Sequence, residues 1–139
     1  MVKLVIVCHG ALAEGLINAM ELIAGAQPEV VGIRLGEADS IDGLEARVEA
    51  AVRGRAAGQE VLILVDLFGA SPFNVSARVA MRYPGVEVIT GVNLPVLLET
   101  ALGRENTSLA ELVSLAREAG AGSMKVLSDL MQAGGQTPA

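Results

Sequence analysis

Two hydrophobic periods alternate along the chain. Val2 to Cys8 is almost continuously apolar and β-branched, as a strand covered on both faces should be. Glu29 to Ile33, Glu60 to Val65 and Val86 to Thr90 repeat that character in shorter runs. Between them the apolar positions recur at helical spacing. Leu12, Leu16, Met20 and Ile23 fall on one face, and so do Ile41, Leu44, Val48 and Val52.

Boundary chemistry divides these segments. Gly25 and Gly58 read as helix ends, and Ser40 as the cap of the second helix. Ser71-Pro72 is the strongest start signal, because Ser accepts from an orphan N–H and Pro at the first helical position gives up no needed donor. The helix it opens should reach about Tyr83, before Pro84-Gly85. Asn93 is set to cap a helix from Leu94, and a last long helix from Thr107 carries Leu109, Leu112, Val113 and Ala116. Met124 to Leu127 reads as a short final strand, with a tail over 131–139.

Repeated strand–helix–strand units need right-handed crossovers. The expected fold is therefore α/β, a doubly wound and mainly parallel sheet with helices on both faces. Such sheets bind ligands beyond the carboxyl ends of their strands, where the chain leaves in opposite directions. With strand one between strands two and three, that point lies between Cys8-His9-Gly10 and Asp66-Leu67-Phe68-Gly69.

Composition narrows the classes. At 139 residues, 52% hydrophobic and 19% charged, the chain has enough apolar surface for one folded domain. Its net charge of -6 argues against a phosphate backbone as the main partner, so no nucleic-acid role is expected. The single cysteine allows no internal disulfide, no Cys/His spacing resembles a metal site, and no cofactor is expected. No apolar run approaches a membrane span, and the N-terminus enters a strand without signal-peptide features, so a cytoplasmic protein is expected.

His9 is the only histidine. Asp66 also ends a buried strand, where an ionised carboxylate is costly unless paired. A carboxylate on Nδ1 would fix the ring's tautomer and free the Nε2 lone pair as nucleophile or base. Gly10, Gly69 and the Ser71 helix start add a candidate anion cradle of backbone N–H groups. Together they indicate phosphoryl transfer through histidine. Rivals fit less well. A Cys8–His9 dyad fails because adjacent strand residues face opposite ways, which leaves Cys8 to the core. Ser71 lacks a G-x-S-x-G elbow, His9-Gly10 begins no G-x-G-x-x-G, no P-loop is present, and an aspartyl-phosphate receiver would need acidic residues where His9 stands. Arg78 and Arg82, one turn apart, read as a solvated face.

Three separated segments resemble a known family. Val5-Ile6-Val7-Cys8-His9-Gly10, Val65-Asp66-Leu67-Phe68-Gly69-Ala70-Ser71-Pro72-Phe73-Asn74 and Gly91-Val92-Asn93-Leu94-Pro95-Val96-Leu97-Leu98-Glu99-Thr100 are similar to the mannose-type IIA component of the bacterial sugar phosphotransferase system. The similarity covers residues 1–130. It implies that His9 accepts phosphate from the phosphocarrier HPr and passes it to a IIB protein, which serves a membrane complex of IIC and IID subunits. It further implies Asp66 as the orienting carboxylate, and Gly10, Phe68, Gly69, Ala70 and Ser71 around the phosphate. Phe68 stands where the family often has Trp, and no IIB domain is expected in the tail. The family exchanges a C-terminal strand between two subunits, so a homodimer built with Met124 to Leu127 is expected. Two other roles share the same residues: a regulatory phosphoprotein, and the phosphocarrier of a dihydroxyacetone kinase system. A small-ligand binding module is a third.

Overall fold

A computed structural model describes residues 1–134. Four strands, β1 (Lys3–His9), β2 (Val30–Leu35), β3 (Val61–Val65) and β4 (Val86–Ile89), form one all-parallel sheet in the order β2-β1-β3-β4. The helices are α1 (Leu12–Ala24), α2 (Ile41–Arg53), α3 (Ser71–Arg82), α4 (Leu94–Gly103), α5 (Leu109–Ala121) and α6 (Leu127–Gln132). The expected doubly wound fold is present, with β1 central.

Strand alternation sorts the core into two layers. Leu4, Ile6, Cys8, Leu62 and Leu64 face one side, where they meet Met20 of α1, Leu97 of α4 and Leu112 of α5. Val5, Val7, Val61, Ile63 and Val65 face the other, under Leu44, Val48 and Val52 of α2 and Val75 and Val79 of α3. Near-continuous apolar strands are the consequence, since every position needs cover.

Several local expectations shift. α1 buries Ala13 and Met20 and packs Leu16 and Ile17, whereas Leu12 and Ile23 are exposed. The helix lies so close over Gly32 of β2 that a Cβ there would meet Ile17 Cδ1 at 2.9 Å, which centres its buried face on Ala13 and Ile17. Ile41 is likewise exposed at the start of α2. That helix stops at Arg53 with Gly54 as its cap, and Gly58 instead supplies a positive φ in the following turn. Ser40 and Asn93 cap α2 and α4 as expected, through bonds from the Gly43 and Val96 N–H groups. The last long helix begins at Leu109, where Ser108 and Glu111 form a reciprocal capping box.

The expected strand at Met124 to Leu127 does not form within the chain. Met124 to Val126 pair with no strand, and Leu127 opens α6, which buries no residue. No strand among the described residues lies beside it, and a three-residue segment without a pairing partner has no stability as a strand of its own. Met131 and Gln132 of the expected tail belong to α6, and residues 135–139 lie outside the described residues.

At the opposite end of the sheet from His9, Arg104 is 1% exposed. Its guanidinium donates to the carbonyls of Ala101, Val2, Glu29 and Pro28, tying α4 to the entries of β1 and β2. Truncation would strip the buried Val2 carbonyl of its Arg104 donor, although the Glu29 carbonyl keeps the Leu4 N–H, and would open a cavity. Arg104→Ala should therefore cost about 3 kcal/mol or more in chemical denaturation, and Arg104→Lys should recover only part, since one ammonium cannot span that fork.

Candidate functional site

Sheet geometry brings His9 and Asp66 together. The Lys3 N–H donates to the Glu60 carbonyl at 2.9 Å, opening the β1–β3 ladder. Parallel rungs repeat every two residues, so six residues further along each strand the His9 N–H arrives level with residue 66. There β3 has ended, and the acceptor is the Asp66 side chain: His9 N donates to Oδ2 at 2.9 Å. The same oxygen lies 2.8 Å from His9 Nδ1. One carboxylate oxygen thus completes the ladder and grips the ring.

An ionised carboxylate only accepts, so this contact places a proton on Nδ1, and in the neutral ring the lone pair is then on Nε2. The His9 side chain is 47% exposed while that of Asp66 is 13% exposed, which puts the orienting group beneath the ring and the ring toward solvent. Burial is the largest influence on Asp66 and opposes its ionisation. The bonds from His9 N–H and Nδ1, with the charge of the imidazolium, outweigh it and hold the carboxyl below its usual range. Asp66 Oδ1 is buried without a hydrogen-bond partner among the described residues, which concentrates the carboxylate's interactions on Oδ2.

Cys8 is fully buried on the opposite face from His9, as expected. Burial, and then the Asp66 charge, push its thiol up to about 12, so no thiolate competes as nucleophile at neutral pH.

The other expected residues divide. Gly10 turns the chain out of β1 at φ +55, and its N–H donates to the Leu35 carbonyl at 2.9 Å. That donor continues the β1–β2 ladder and is not free for an anion. Gly69 has φ +81, a conformation that suits glycine, and leads into extended Ala70 at the start of α3. Among the described residues, the N–H groups of Phe68, Gly69, Ala70 and Ser71 donate to no protein acceptor. Ser71 was expected to cap α3, but Ala70 holds the boundary and Ser71 is the first helical residue, making no capping bond. Its hydroxyl is therefore not spent on the helix. Phe68 is 73% exposed, with its ring centroid 5.0 Å from that of Phe73.

Two supports escaped the residue-level reading. Asn74 Nδ2 donates to the Gly69 carbonyl at 3.2 Å, bracing the loop from inside α3. The Val92 N–H donates to the Val65 carbonyl at 3.0 Å, fastening the β4–α4 turn beside Asp66. Neither leaves a sequence signal beyond an asparagine near a glycine and a valine in a turn. Arg78 and Arg82, for their part, are more than a solvated face. Both reach Glu45 of α2, at 2.6 and 3.2 Å, and bridge α2 to α3 away from the site.

An all-parallel sheet that ends two neighbouring strands in a bonded histidine and carboxylate, beside a helix N-terminus, defines a protein of the switch-point α/β class. The comparisons make it more specific. A family model described as the PTS (phosphotransferase system) fructose IIA component matches residues 3–116. The chain is 36% identical over 127 residues to the PTS system mannose-specific EIIAB component of Escherichia coli K12, covering 91% of this chain and 39% of that protein. It is 31% identical over 113 residues to the PTS system sorbose-specific EIIA component of Lacticaseibacillus casei, covering 81% and 80%. Among solved structures, the phosphotransferase system component EIIA from Streptococcus agalactiae superposes with a TM-score of 0.87 at 32% identity, covering 93% of this chain and 99% of that one. The chain belongs to the mannose family of phosphotransferase-system IIA components. No helix among the described residues is long and apolar enough to cross a membrane.

Proposed function

We propose that the protein is a phosphoryl carrier that takes phosphate from phospho-HPr on His9 and gives it to a IIB protein. The observation that carries this reading is the 2.8 Å contact between His9 Nδ1 and Asp66 beneath an exposed ring. Nε2 attacks phosphorus, a new N–P bond forms as the donor's N–P bond breaks, and the donor imidazole leaves with the bonding pair. Asp66 holds the Nδ1 proton throughout and stabilises the positive charge that develops on the ring. The N–H groups of Phe68 to Ser71, the Ser71 hydroxyl and the positive end of α3 face the incoming oxygens. Transfer to IIB is the same step reversed.

Labelled phosphate from phospho-HPr tests this directly. A carrier becomes labelled on His9 and loses the label when IIB is added. A regulatory phosphoprotein would keep it, a dihydroxyacetone kinase carrier would pass it to that kinase instead, and a binding module would take none. Ser71→Ala should slow transfer by about tenfold, less than loss of His9, because backbone donors remain. Single-turnover labelling measures it, and an unchanged rate would remove the hydroxyl from the cradle.

The protein is also read as a homodimer. β4 is an edge strand, and an unpaired edge invites a strand from another copy. Met124, Val126 and Leu127 are exposed, and Val126 already has extended backbone angles. The proposal is that Met124 to Val126 of each copy pairs with β4 of the other, covering both.

A further inference from the structure

The free edge of β4 is not bare. The Gly85 carbonyl accepts from Val61, so residues of that parity face β3, while Val86, Val88 and Thr90 turn their backbone groups outward. The Val88 N–H, in the middle of that outer row, is bound by the side chain of its own neighbour: it donates to Glu87 Oε1 at 2.9 Å. Near it lies an open groove of about 450 Å³ whose lining includes Val88 and Thr90 of the β4 edge, Ala116 and Arg117 of α5, and Phe68 and Phe73 beside the candidate site. The edge thus combines an open groove with one outward donor already occupied by a carboxylate.

We propose that Glu87 guards this edge, so that a strand from a second copy must displace its carboxylate from the Val88 N–H before it can dock. This rests on the homodimer reading above and adds a control to it. The occupant is the Met124 to Val126 segment of a second copy, because the same chain carries an exposed apolar stretch, continued by Leu127, Leu130 and Met131, that no other part of the described residues covers. A docked strand offers a carbonyl in place of the carboxylate oxygen. The exchange gives up one charge-assisted bond for one neutral bond, and association is weaker by that difference. Edge protection by charge is a common safeguard against unwanted strand pairing. Here it falls on the edge that the protein's own assembly would use.

The test compares dimer dissociation constants of the full chain and its variants, by sedimentation or, below micromolar, by energy transfer between labelled copies on dilution. Glu87→Ala removes the acceptor and should tighten the dimer by about tenfold, whereas Glu87→Gln keeps a neutral accepting oxygen and should lie between Glu87→Ala and the unmodified protein. Equal constants for all three would overturn the guard and leave the homodimer standing. Equal tightening by Ala and Gln would assign the effect to charge alone and also overturn it. A chain that stays monomeric at hundreds of micromolar, with or without Glu87, would remove both the homodimer and the guard, as would a dimer that survives truncation after Ala121.

Discussion

His9→Ala should take up no phosphate from phospho-HPr while keeping its fold. The ring projects from the end of β1 and is half exposed, so its loss leaves neither a core cavity nor a missing ladder rung. The backbone N–H that donates to Asp66 survives the substitution. Label should therefore fall to background while the thermal midpoint stays close to that of the unmodified chain. In the unmodified protein the bond should be acid-labile and base-stable, as a phosphoramidate is. Label retained by the alanine variant, or mapped to Ser71, would refute the assignment.

Asp66→Ala should slow transfer by about 10²–10⁴-fold, the usual loss when one member of an oriented pair is removed. It should also destabilise the protein, because the His9 N–H loses its acceptor together with the ring. Asp66→Asn separates the two roles. Its amide oxygen can still accept from the His9 N–H, but it carries no charge to hold the Nδ1 proton or to balance the developing imidazolium. Stability should then recover more than rate, and single-turnover transfer beside chemical denaturation measures both. The pH dependence has a defined sign. Asp66 titrates below its unfolded value, so its contribution is complete above about pH 4 and is lost as pH falls through the depressed folded value. Between pH 5 and 8 that contribution should be flat, and in Asp66→Asn only this part of the acid loss should disappear, since Glu45 is also held below its usual range by Arg78 and Arg82.

The sheet and the chemical pair were legible in the sequence for the same reason. A strand buried on both faces must be continuously apolar, so His9 and Asp66 stand out as the first polar side chains after two such runs. Less legible were features set by contacts between elements. The buried face of α1 depends on how closely Gly32 lets Ile17 approach, which the helical period of α1 does not contain. Arg104 looks like any surface arginine until two distant chain segments bring carbonyls around it. Gly10 and Gly69 look equivalent as turn glycines, yet only Gly10 spends its N–H on the neighbouring strand. The segment after α5 reads as a strand because its composition suits one, but composition cannot supply the neighbour that a strand requires.

The side chain that stands in for a carbonyl makes the sheet a measuring device for the site. Successive N–H groups of a strand point alternately left and right, so only a residue in phase with Lys3 can present its N–H to β3. Removing one residue from β1 between those two positions would turn the histidine's N–H toward β2 and carry its ring through the sheet to the side Cys8 now occupies. Removing two would restore the phase but bring the ring up about 7 Å short of the carboxylate. The interior of β1 can therefore exchange one branched aliphatic residue for another, but it cannot change its count.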